Sequence, residues 1–104
     1  LLKFKAHLLS DFELLNITKS LLTDFREEIV IKTLTILQRR ESLDICIAIR
    51  DVIKNGSDKS AYFGLMALGS IRSEISRNIL KDLVKDLKNT QHKELAQKQL
   101  NFAI

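Results

Sequence analysis

The sequence predicts an all-α protein: an α-solenoid of antiparallel helix pairs, about seven helices in roughly three repeats. Three observations predict it. Apolar residues recur at steps of four and three in Val30, Leu34 and Leu37, in Ala61, Leu65 and Leu68, and in Ala96, Leu100 and Ala103; the sets lie 31 and 35 residues apart. Such steps mark one face of a helix. A second pattern is interleaved with the first. Leu14, Leu15, Thr18 and Leu22 match Ile45, Cys46, Ile49 and Ile53, then Ile79, Leu80, Leu83 and Leu87, at offsets of 31 and 34. Two helix types alternating at a constant period are the mark of stacked helical repeats. The third observation is composition: there is no proline or tryptophan, and only three glycines occur in 104 residues. A β-rich fold needs more turn residues than that.

The elements follow in order. Leu1 to Leu9 reads as the end of a helix. Ser10 or Asp11 caps the second, because a side-chain oxygen there accepts a free N–H of the first turn; that helix is expected to reach about Leu22. Thr23 or Asp24 caps the third. Its first turn carries Glu27 and Glu28, and Arg39 and Arg40 close it, each charge suiting its end of the helix dipole. Glu41 or Ser42 begins the fourth helix. It stops at Asn55-Gly56, two residues that accept a left-handed C-terminus. Ser57 and Asp58 cap the fifth, which turns Ala61, Leu65, Met66 and Leu68 inward and ends near Ile71. Ser73 caps the sixth, which reaches Lys88-Asn89. Thr90 caps the seventh, whose Leu100, Phe102 and Ile104 continue the apolar pattern to the end of the chain. Short connections make consecutive helices antiparallel neighbours. Residues 1–104 form one domain, expected to be an excerpt of a longer protein because neither end reads as a polar capping repeat.

The stretch from Ser57 through Asp58, Ala61, Leu65, Ala67, Leu68 and Gly69 to Ile71 resembles the first helix of a HEAT repeat, in which a turn Asp precedes an Ala- and Leu-rich helix. Glu94 to Leu100 looks like the same helix of the next unit, and Glu27 to Leu37 resembles it more weakly. The resemblance implies a curved scaffold that binds other macromolecules; it does not imply a reaction.

The rest of the sequence agrees with a non-enzymatic role. His7 and His92 lie 85 residues apart, and neither has a metal-ligand neighbour at useful spacing. No catalytic triad pattern and no Gly-rich phosphate loop occurs. Neither a cofactor nor a small-molecule substrate is expected. No apolar run approaches the ~18 residues that a membrane span requires. The single cysteine, Cys46, sits in an apolar run and reads as core, so the expected location is cytoplasmic. The net charge of +4 is mild.

Aligning the second helices by their core residues aligns their outward faces. That face carries Phe12, Asn16 and Ser20, then Leu43, Ile47 and Asp51, then Arg77, Lys81 and Lys85. In stacked repeats the second helix commonly lines the concave, binding surface. The expected function is therefore a protein-interaction scaffold or adaptor. Phe12, Leu43 and Ile47 serve as apolar anchors, and Arg77 and Lys81 steer an acidic protein partner. Two alternatives remain open: nucleic-acid binding through a basic groove, and an accessory segment of a larger enzyme.

Overall fold

Serine side chains start most of the helices. A computed structural model describes residues 10–38, 40 and 42–102. Six α-helices occur among them: α1 (Asp11–Thr18), α2 (Glu27–Leu37), α3 (Leu43–Asn55), α4 (Asp58–Ile71), α5 (Glu74–Asp86) and α6 (Thr90–Phe102). A 310 turn over Leu21–Thr23 separates α1 from α2, and no strand occurs among the described residues. The expected helix over 1–9, the closing role of Arg39, the start at Glu41, and Ala103 and Ile104 lie outside the described residues, as does the Phe102 side chain.

Ser42, Ser57 and Ser73 accept hydrogen bonds from the backbone N–H groups of Ile45, Ser60 and Ser76 at 3.2, 3.2 and 3.1 Å. Ser10 accepts from Glu13 N–H, and the Glu13 carboxylate accepts from Ser10 N–H, both at 3.2 Å, closing a capping box. Each such cap contributes about 0.5–2 kcal/mol.

Several local expectations are corrected. The second helix stops at Thr18 rather than Leu22, and a 310 turn carries the chain on to Thr23. The cap of α2 is neither Thr23 nor Asp24: Arg26 holds the N-cap position without a side-chain bond. Asp24 instead accepts from the Arg26 N–H at 2.9 Å and pairs with its guanidinium at 3.0 Å. At α6, Asn89 rather than Thr90 supplies the cap, its side-chain oxygen accepting from His92 N–H at 3.1 Å. The sixth expected helix ends at Asp86, short of Lys88.

Helix α3 stops at Gly56 as expected, but by a different device. Gly56 is extended (φ −86°, ψ −175°), and it is Arg72, at the end of α4, that is left-handed (φ 52°, ψ 39°). Glycine suits position 56 by close approach: a Cβ there would lie 2.6 Å from the Val52 carbonyl oxygen.

The repeated positions form the core. Leu14, Ile45 and Leu80, and Leu34, Leu65 and Leu68, are all buried, as are Ala61 and Ala96. Burial of a Leu or Ile side chain contributes about 1.5–3 kcal/mol. Leu15 and Leu100 are only half-buried against that core. Thr18 occupies the position that Ile49 and Leu83 hold in the other repeats; it is fully buried, and its hydroxyl donates to the Leu14 carbonyl at 2.8 Å. Met66 does not point inward with Leu65: it is 37% exposed and contacts the Gln99 amide through its sulfur.

Packing alternates along the chain. Helix α2 packs on α4 and α4 on α6, while α1 packs on α3 and α3 on α5. Between these two series, α3 packs on α4, and α5 on both α4 and α6. The Cα positions extend 36 × 29 × 16 Å. Two packed helices need about 13–15 Å, the interaxial distance plus one Cα radius on each side. The protein is therefore a slab two helices thick.

Candidate functional site

The side chains of the outward face are displayed by α1, α3 and α5, which lie side by side in that order. Phe12 and Leu43 lie in the first turns of α1 and α3, 31 residues apart, and are 72% and 53% exposed. Asn16 is exposed one turn beyond Phe12. Ile47, one turn beyond Leu43, is half-buried against the core, so it presents only an edge to solvent. Asp51, Lys81 and Lys85 are exposed, and Arg77 is half-buried.

Two of these positions come together in one depression. Arg77 and Lys81 line it with Arg72, Ser73, Glu74 and Asn78, around a volume of about 330 Å³. None of its three cations makes an ion pair with a described residue, and the Arg77 Nε–H is buried without an acceptor. A donor left so costs about 1–3 kcal/mol. Lys85 lies outside this depression, so the basic stripe is divided.

Asp51 belongs elsewhere. It pairs with neighbouring Arg50 at 3.3 Å and lines a cleft of about 490 Å³ between the 310 turn and α3. Leu22, Val30, Ala48 and Val52 give that cleft apolar walls, with Lys19 and Glu27 among its polar lining. Phe25, beside the cleft, is 93% exposed, and its ring lies 5.6 Å from the Arg26 guanidinium. Hydrogen bonds from the Arg26 side chain, then from its backbone, hold the Asp24 carboxyl below the ordinary carboxylate range, and Asp24 in turn raises the Arg26 guanidinium.

Sequence reasoning missed Phe25, Arg72 and the exposed α4 side chains Tyr62 and Phe63, whose rings meet edge to face at 5.2 Å. Phe25 had a signal: it is an apolar residue outside both repeated patterns. Arg72 had none, because its neighbours in the depression are set by the turn between α4 and α5.

No group of three or more His, Cys, Asp or Glu side chains placed to hold a metal occurs among the described residues. Within those residues, no helix is long and apolar enough to cross a membrane. Comparison of the chain with protein-family models, curated proteins and solved structures finds no match.

Proposed function

We propose that this chain is a non-enzymatic protein-interaction module, a short HEAT-like α-solenoid of antiparallel pairs that takes a partner segment along α1, α3 and α5. The alternating packing of α2 on α4 on α6 and of α1 on α3 on α5 supports the architecture. The observation that carries the function is the pair Phe12 and Leu43. Two large apolar side chains, one repeat apart on helices in direct contact, stay mostly in water. Each contributes up to about 1.5–3 kcal/mol when a partner covers it. Arg77, Lys81 and Lys85 give the far end of the same face a positive potential, which favours an acidic segment and speeds its encounter.

Affinity capture with the wild-type chain and with Phe12→Ala/Leu43→Ala tests the reading. The expected result is a partner retained by wild type and lost by the double variant, with circular dichroism unchanged. Equal capture by both removes Phe12 and Leu43 from the function. The basic end also raises nucleic-acid binding, but no aromatic side chain lines the depression to stack on a base.

A further inference from the structure

We propose that the depression of Arg72, Arg77, Asn78 and Lys81 is a receptor for a phosphate monoester carried on a partner's side chain. The protein carrier rests on the interaction reading above; the anion chemistry rests on the depression alone.

Charge comes first. Arg72, Arg77 and Lys81 contribute three positive charges and Glu74 one negative, a net of +2 within one depression. A phosphate monoester carries about −1.5 to −2 at neutral pH, so the two match closely. None of the three side chains has an ion-pair or hydrogen-bond partner among the described residues. Arg77 and Lys81 lie one turn apart on α5, where like charges repel. An oxyanion between them turns that repulsion into attraction.

Donor geometry comes second. Arg77 is half-buried; its Nε–H is buried and lacks an acceptor, so the donors a ligand meets are the terminal amino groups of the guanidinium. Guanidinium forks match phosphate oxygens in pairs, which a compact ammonium cannot do. The Asn78 amide adds neutral donors beside it. The Ser73 hydroxyl and the Ser76 N–H are already joined in the cap at 3.1 Å, and the Ser76 hydroxyl serves the Ser73 N–H and carbonyl. The charged recognition is carried by the Arg72, Arg77 and Lys81 side chains. A depression of about 330 Å³ also exceeds what a bare oxyanion fills, which leaves room for the chain bearing it.

The test is a ¹H–¹⁵N NMR titration of the full chain at constant ionic strength and pH near 7.5, where the monoester is a dianion. The probes are N-acetyl-phosphoserine amide, its unphosphorylated twin, inorganic phosphate, sodium chloride and vesicles of anionic phospholipid. Saturable shifts at the backbone amides of residues 72–81 and at Arg77 Nε–H are expected with the phosphoserine probe and with inorganic phosphate, and none with the twin. Arg77→Gln and Lys81→Gln each weaken binding about tenfold, as loss of a charge-assisted hydrogen bond does. Lys32→Gln, at an exposed position on α2 outside the depression, binds as wild type, and each variant's own spectrum reports its fold. Four results overturn the proposal: equal shifts with chloride, unaltered binding by the Arg77 and Lys81 variants, equal weakening by Lys32→Gln, or binding to vesicles or free phosphate but not to phosphoserine. None of them touches the Phe12 and Leu43 capture result, so failure of the receptor and failure of the interaction module are separable.

Discussion

The Ser57 hydroxyl donates a hydrogen bond to the Glu27 carboxylate and so joins the starts of α2 and α4, 30 residues apart. The same hydroxyl accepts the Ser60 N–H as the cap of α4, so one oxygen serves both the helix and its neighbour. A parallel contact links the next unit: His92 Nε2, at the start of α6, lies 4.0 Å from the Asp58 carboxylate at the start of α4. Helices α2 and α4 are thus tied at their N-terminal turns as well as through their apolar faces.

A double-mutant cycle on Glu27 and Ser57 tests the first tie. Ser57→Ala loses both the cap and the tie, about 1–2 kcal/mol. Glu27→Ala alone costs about 0.5–1 kcal/mol because the bond is exposed. Its cost should fall in the Ser57→Ala background to the part owed to the dipole of α2, read from urea unfolding of the four proteins.

Leu83 is fully buried where the faces of α5 meet the core. Leu83→Ala is expected to cost about 2–4 kcal/mol. The half-buried Leu100 serves as the comparison, and Leu100→Ala should cost about half as much. Chemical denaturation measures both, and equal losses would contradict the core assignment.

Arg72 ends α4 in the left-handed region at φ 52°. A side chain there costs about 1 kcal/mol that glycine avoids. Arg72→Gly should therefore raise the thermal midpoint while weakening phosphoserine binding in the titration above. A fall in both would mean that Arg72 supports the fold.

Two carboxylates make stability depend on acid. Hydrogen bonds from the side chain and then the backbone of Ser10 hold Glu13 below its ordinary value of 4.5, and those from Arg26 hold Asp24 below 3.8. Both native values are depressed, so the unfolded chain binds protons first as pH falls. Their contribution is complete above those ordinary values and is lost below them. The urea midpoint should fall as the pH drops below about 4.5, and Asp24→Asn should flatten the lower part of that curve.

By itself the sequence determined the helices and their buried faces. A face is a local property: steps of three and four place Leu34 with Leu37 and Leu65 with Leu68 on one side of a helix wherever that helix lies, and all four are buried. Caps were legible for the same reason at Ser10, Ser42, Ser57 and Ser73, since each bond closes within three residues. The candidate face was legible only as positions: Phe12 and Leu43 proved exposed, whereas Ile47 half sinks into the core. Tertiary structure decided what depends on a second element. It left Met66 at the surface beside Gln99, and it put Thr18 in a buried position where its hydroxyl is satisfied by its own helix. It also moved Asp51 to the cleft of the 310 turn and gathered Arg72 with Arg77 and Lys81 around one depression. Periodicity fixes the direction in which a side chain leaves its helix, whereas the neighbours it meets are set by how the helices pack.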